Sequence, residues 1–281
     1  MLTKPKAKAV RLRAERSLHI GLNSYGGFAP TLAGCLNDAK DWQAALKQRG
    51  FETAILLDQQ ATKRAILDGI ERLVDLTKSG ETAVITFSGH GTWVPDEDGD
   101  EPDGRDEAIC PYDLPDGVIT DDELHERFSA ARYGARLIFI SDSCHSGSVT
   151  RFADLGGPAD TKARIRFVAP EAFLGRSALS AARAVDKAPF TGVIRPPEGL
   201  LLSGCADPQF SYDAWFNRRP NGAFTYAALR ALERLPPKGT YRDLHALIRK
   251  EYLPSNQFPQ DPQIDGAPHR QRWPVFQSLT G

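Results

Sequence analysis

AVITFS (83–88) running into Gly89-His90-Gly91, and LIFISD (137–142) running into Ser143-Cys144-His145-Ser146-Gly147, are the stretches that decide the fold. Each is a nearly continuous apolar run of strand length, followed at once by small and polar residues. An unbroken apolar strand is buried on both faces, which is the situation of a parallel sheet covered by helices. Working outward, SLHIGLN (17–23), residues 51–57 and LLLSG (200–204) read as further strands. Helical patterns lie between them. Cys35, Ala39, Trp42 and Leu46 share one helical face that Gly50 closes, and Ile66, Ile70, Leu73 and Val74 mark a second helix ending near Gly80. Thr120 and Glu123 form a capping box before a helix striped by Leu124, Phe128 and Ala131. Two late helices carry Phe224, Ala228, Ala231, Leu232 and Leu235, then Leu244, Leu247 and Ile248. This alternation predicts an α/β fold, a mainly parallel central sheet flanked by helices on both faces.

The chain has 281 residues, 41% hydrophobic and 25% charged, with a formal net charge of −1. That balance excludes a disordered, collagen-like or strongly basic nucleic-acid-binding protein, so no nucleic-acid partner is expected. No apolar run approaches the roughly 18–20 residues needed to cross a bilayer, and no membrane partner is expected either. The basic start lacks the apolar segment of a secretory signal, and four cysteines (Cys35, Cys110, Cys144, Cys205) make no disulfide framework. Both features point to a reducing, cytoplasmic setting in which thiols stay free. One domain is expected over 17–281, after a basic extension at 1–16. Two connections depart from the alternation: an acidic loop at 92–119 and a basic loop at 151–197. Connections that long are functional or disordered.

Open α/β sheets bind ligands beyond the carboxyl ends of their strands. His90 and Cys144 each follow such an end, so they are expected on one rim. A thiol beside an imidazole makes a nucleophile–base pair, because the imidazole takes the proton and the thiolate attacks. Cys205 also follows a strand and is a rival nucleophile, but no histidine adjoins it. A phosphate-binding loop from Cys144 to Arg151 would have six intervening residues and would leave His90 without a task.

SGHG and, 54 positions on from His90 to Cys144, DSCHSG resemble the His and Cys boxes of the metacaspases, which belong to the caspase-like cysteine peptidases. Gly34-Cys35-Leu36-Asn37-Asp38-Ala39 resembles that family's GCxNDA box. DEDGDEPDGRDE (96–107), with Pro111, Asp113 and ITDDEL (119–124), resembles its acidic loop. SGCADPQFSYD (203–213) and GAFTY (222–226) resemble its final strand–helix region. The likeness extends over 17–235 and implies a caspase-like fold. It makes Cys144 the nucleophile and His90 the proton carrier, with the backbone N–H groups of Gly91 and Cys144 as oxyanion donors.

The resemblance also implies a primary pocket formed by Asp38, Ser88 and Asp142, with Asp207 near the same cleft. Carboxylates sharing a desolvated pocket repel each other unless a cation joins them, and arginine suits that place because it bonds bidentately. Cleavage of protein or peptide substrates after Arg or Lys is therefore expected, instead of after Asp. Ca²⁺ ligands of the family map to Asp106, Asp121 and Asp122, within a stretch from Asp96 to Asp122 that holds twelve carboxylates. The family's further aspartate is replaced here by Arg151, with Asp154 the nearest acid, so bound Ca²⁺ and a plain solvated acidic loop are both open readings of this segment. The 151–197 segment, with eight basic residues, lies where family members are cut, so self-processing is expected, as is a monomer. The alternative is a caspase-like scaffold that binds basic segments without cutting them.

Overall fold

A computed structural model of the chain describes residues 15–96, 99, 101, 103–145, 163–175, 198–206 and 209–277. Its central sheet has six strands: β1 (Arg16–Gly21), β2 (Glu52–Leu57), β3 (Thr82–Ser88), β7 (Arg136–Asp142), β9 (Leu200–Ser203) and β12 (Gln263–Asp265). Their order across the sheet is β12-β9-β7-β3-β1-β2, with every pairing parallel except β9 with β12. The helices are α1 (Cys35–Lys47), α2 (Lys63–Leu76), α3 (Asp121–Ser129), α4 (Ala223–Arg234) and α5 (Tyr241–Glu251). The chain is therefore α/β with a mainly parallel central sheet, as the alternation predicts.

The apolar runs are continuous because both faces of the sheet are covered. Ala83, Ile85 and Phe87 of β3 and Leu137 and Phe139 of β7 pack with Ile66 and Ile70 of α2 and with Leu124 and Phe128 of α3. The alternate residues Val84, Ile138 and Ile140 face the other way, against Trp42 and Leu46 of α1, Phe224 and Ala228 of α4 and Leu244 of α5. Successive side chains of a strand point to opposite faces, so one apolar run serves two cores. Local signals set the helix starts. Thr62 accepts a hydrogen bond from Ala65 N ahead of α2, and Thr120 and Glu123 form the reciprocal capping box ahead of α3.

The acidic segment departs from the expected loop. It contains β4 (Gly91–Pro95), β5 (Arg105–Ile109) and β6 (Ile119–Thr120), paired as an antiparallel three-stranded sheet. Charged residues hid these strands in the sequence. Glu107 is fully buried, and the Arg105 guanidinium lies over the Trp93 ring, 4.6 Å from its centre, so apolar and polar positions do not alternate. The basic segment is likewise not a plain loop. Residues 163–175 include β8 (Arg164–Ile165), which pairs antiparallel with β10 (Tyr212–Phe216), itself in a hairpin with β11 (Arg219–Gly222). The rest of 151–197, and residues 1–14 of the basic extension, lie outside the described residues. Arg16 already belongs to β1.

Phe139 is fully buried on β7, with its ring 5.8 Å from that of Phe128. Phe139→Ala is expected to destabilise the fold by about 3–5 kcal/mol, read as a lowered urea midpoint with the same slope.

Candidate active site

The sheet order reverses at β1: the chain leaves it toward β2 on one side and returns to β3 on the other. Ligands of open parallel sheets lie near such a reversal, beyond the carboxyl ends of the strands. Strands β3 and β7 are adjacent and in register, Ser88 opposite Asp142. His90 and Cys144 each stand two residues beyond that pair, so equal offsets on neighbouring parallel strands bring both to one rim.

Tyr25 and Pro30 hold the His90 side of the rim. The Tyr25 hydroxyl accepts from His90 N at 2.6 Å, and the two rings lie 5.0 Å apart. His90 Nε2 is 2.7 Å from the carbonyl oxygen of Pro30. A carbonyl only accepts, so this contact assigns the hydrogen to Nε2 and leaves Nδ1 with its lone pair. Nδ1 is buried and makes no hydrogen bond among the described residues. Burial, opposed by the Pro30 bond, pulls the His90 pKa down to about 4, so the ring is neutral near pH 7.

The Cys144 side depends on close backbone packing. A Cβ at Gly91 would lie 2.1 Å from Cys144 O, so only glycine permits the two chains to touch there. In consequence Gly91 N and Cys144 N point at one spot, and both donate to Arg166 O, at 3.0 and 3.1 Å. The Cys144 thiol is turned toward β10: Ser211 N donates to Sγ, and Sγ donates to Ser211 O at 3.5 Å. Thiol and imidazole thus share the rim without bonding each other. Cys205 is buried next to them, its Sγ 3.8 Å from Ser143 O. His145, the histidine adjoining Cys144, is bonded to Ala108 O and Ser143 Oγ, and burial lowers its pKa to about 4.

Beyond the rim lies a buried charge cluster. Asp38, in the first turn of α1, and Ser88 and Asp142, at the ends of β3 and β7, are the residues that the resemblance assigns to the pocket, and they meet there. Asp207 lies outside the described residues. A third carboxylate, Asp213 of β10, joins them, and no local pattern in the sequence marks it as a pocket residue. All four described residues surround the guanidinium of Arg166, which is fully buried. Nη2 donates to Asp38 Oδ2 at 2.6 Å and to Asp213 Oδ1 at 2.9 Å. Nη1 donates to Ser88 Oγ at 2.7 Å and to Asp142 O at 3.0 Å, and lies 3.1 Å from Asp142 Oδ2.

The carboxylates have other donors too. Asp38 accepts from Asn221 Nδ2 and Gly222 N, Asp142 from Ser211 Oγ and Thr225, and Asp213 from Ala33 N and Gly34 N at the start of α1. Burial still pushes the Asp38 pKa up to about 6, against the pull of Arg166 and with the charge of Asp142 adding to the rise. Burial would lower the Arg166 pKa, but Asp142, Cys35, Asp38 and Asp213 outweigh it and hold the guanidinium charged.

In the acidic segment, Glu101, Glu107 and Asp121 bring ligand oxygens within 4.8 Å of one another. Two oxygens on one Ca²⁺, each about 2.3–2.6 Å away, are separated by no more than about that span, so the spacing of these three oxygens agrees with part of the six- to eight-ligand shell of such an ion. Of the three residues mapped by resemblance only Asp121 belongs to it. Asp106 precedes Glu107 on β5 and faces the other side, and Asp122 is exposed. Arg151 and Asp154 lie outside the described residues.

Residues 15–153 match the model of the metacaspase peptidase C14 domain. Metacaspase-1A of Aspergillus fumigatus is 33% identical over 89% of this chain and 68% of its own length. This chain belongs to the metacaspases. Metacaspase-1 of Cryptococcus neoformans is 31% identical over 90% of this chain, which spans 62% of that relative's length. Among solved structures, a protein from Geobacter sulfurreducens matches with a TM-score of 0.72 and 31% identity, covering 95% of this chain and all of that one. Caspase-1 of Spodoptera frugiperda matches with a TM-score of 0.57 at 14% identity, over 90% and 86% of the two chains, a likeness of fold. The caspase-like fold of this metacaspase is thereby shown.

Gly222 lets the backbone pass beside the charge cluster: a Cβ there would lie 2.1 Å from Asp142 Oδ2 and 2.5 Å from Arg166 Nη1. Gly222→Ala is expected to expel the guanidinium while the sheet persists. Protection of Asp38, Ser88 and Arg166 in amide hydrogen exchange should fall, with far-ultraviolet circular dichroism unchanged.

Proposed function

We propose that this metacaspase is a cysteine endopeptidase that cleaves protein or peptide chains after arginine, and after lysine less readily. The observation that carries this reading is the double occupancy by Arg166: its guanidinium lies among Asp38, Asp142 and Asp213, while its carbonyl oxygen accepts from Gly91 N and Cys144 N. An arginine at a scissile bond needs both contacts together. The planar guanidinium donates along two edges at once, whereas a lysine ammonium is a point charge on a shorter reach, so arginine is the better fit.

In this reading the Cys144 thiol leaves its contacts with Ser211, gives its proton to His90 Nδ1 and attacks the carbonyl carbon. The two N–H groups now bonded to Arg166 O stabilise the oxyanion, and each donor of this kind is worth about 10²–10³ in rate. The C–N bond breaks, the leaving nitrogen takes the proton from His90, and a thioester remains on Cys144. Water then hydrolyses the thioester with His90 as base. Pro30 O holds the imidazole and stands where other enzymes use a carboxylate.

Calcium stimulation belongs to the same proposal, with Glu101, Glu107 and Asp121 holding the ion and the ion supplying charge neutralisation between them. Processing of the chain's own 151–197 segment belongs to it as well. We place the working unit as a single chain in a reducing cytoplasm, where its four free cysteines stay unpaired. A scaffold that holds basic segments without cutting them is the competing reading, favoured by the thiol's position against Ser211.

Peptides ending in a fluorogenic amide after Arg, Lys or Asp test the proposal. Turnover is expected for Arg above Lys and none for Asp; it should vanish in Cys144→Ala and in His90→Ala. Asp142→Asn should lower kcat/KM for the Arg peptide by about 10²–10³, the cost of breaking one member of a buried ion pair. Tight binding without turnover would select the scaffold. Chelation should slow the enzyme, and Asp121→Asn should remove the calcium response.

The pH dependence has a fixed sign. A bound guanidinium lowers the Asp38 pKa, so the empty pocket titrates above about 6 and protonation there opposes the cation. KM for the Arg peptide is therefore expected to rise as the pH falls toward 6 and to level off below it, with kcat changing less. A flat KM from pH 8 to 5 would contradict the pocket assignment.

A further inference from the structure

We propose that residues 163–168 are a resident strap bound in the manner of a substrate, and that Arg166–Phe167 is the bond this metacaspase cuts in its own chain. This rests on the Arg-peptidase reading and names the bond and the order of events.

The strap is held on both sides of that bond. Before it, Arg164–Ile165 add to the edge of β10, with Ile165 opposite Tyr212 and Arg164 opposite Asp213, and Arg166 N donates to Ser211 O at 3.1 Å. Backbone pairing of this kind reads an extended chain whatever its sequence, and leaves selection to one side-chain pocket. That pocket is filled by the Arg166 guanidinium. After the bond, Phe167 bridges Gly91, and Val168 N donates to Gly91 O at 3.0 Å. Between these clamps Gly91 N and Cys144 N hold the Arg166 carbonyl. Arg164 is the exposed arginine of the strap, whereas Arg166 is wholly buried, so pocket and oxyanion contacts both single out Arg166.

The occupied cleft excludes any other peptide, because an incoming chain needs the same edge of β10, the same pocket and the same two N–H groups. The first cut is therefore intramolecular. Cys144 Sγ bonds to the Arg166 carbonyl carbon, the Arg166–Phe167 C–N bond breaks, and Phe167 N leaves with the thiol's proton carried by His90. Water then cleaves the thioester, yielding an Arg166 carboxylate, a Phe167 amine and the restored thiol. Before that step the thiol lies against Ser211 and the complex is latent.

Intact-mass measurement and N-terminal sequencing of the full chain, with a fluorogenic Arg peptide assayed in parallel, test this. Wild type is expected to give fragments 1–166 and 167–281, the second beginning at Phe167, with peptide turnover rising as full-length chain is lost. Cys144→Ala stays full length. The strap's hydrogen bonds run through Arg166 and Val168, so Phe167→Pro keeps them and the buried charge while presenting a tertiary, poorly cleaved amide. That variant should stay uncut at this bond and turn over the added peptide at least tenfold more slowly than processed wild type.

Wild type that hydrolyses the added peptide while Arg166–Phe167 stays intact would overturn the strap and leave the Arg-peptidase reading standing. So would Phe167→Pro with full peptide turnover and no cut. Wild type that cuts neither its own chain nor the added peptide overturns the peptidase reading, and the strap with it.

Discussion

Three carboxylates withdrawn from water around one guanidinium set the terms for the rest of this structure. Asp38, Asp142 and Asp213 come from α1, β7 and β10, so the cluster ties together elements far apart in the chain. Such clusters add little net stability, since desolvation offsets most of the attraction, but removing the cation leaves buried negative charge and is costly. The arrangement therefore selects an occupant more than it strengthens the fold. The fold's contribution is to hold the acids in place with neutral donors, Ser88, Ser211, Thr225 and Asn221 among them, so that the site persists as a demand for positive charge.

The sheet supplies the other half of the geometry. Parallel strands in register place equal offsets side by side, and Gly91, which has no Cβ, brings two backbones close enough for two N–H groups to meet one oxygen. The side chains proposed to handle protons are held by their surroundings: His90 by the Pro30 carbonyl and the Tyr25 hydroxyl, Cys144 by the Ser211 backbone. Ser211 is the junction of all these parts. Its N–H and carbonyl meet the thiol, the same carbonyl receives Arg166 N, and its hydroxyl bonds Asp142.

Much of this was legible in the sequence, and the exceptions have physical reasons. The central strands and helices followed from apolar periodicity because both faces of the sheet are buried. His90 and Cys144 were legible because they directly follow strand ends, and Asp38 and Asp142 only through the resemblance of the boxes that carry them. Asp213 was not, because its burial comes from a hairpin folding back over α1, which no local pattern records. Arg166 looked like one basic residue among eight, and only the tertiary structure distinguishes it. In the acidic segment, Glu107 and Arg105 point inward and break the alternation that would mark β5 as a strand.

One consequence follows from β10. Once β8 departs, an outer strand of that small sheet is left with an unsatisfied row of main-chain groups, the kind of border along which unrelated polypeptides stack and precipitate. Proteins normally blunt such borders with proline, lysine or a bulge, and none of these would leave a surface able to grip a peptide. Covering it with a removable piece of the same molecule meets both needs, solubility while the protein waits and an open border when it works.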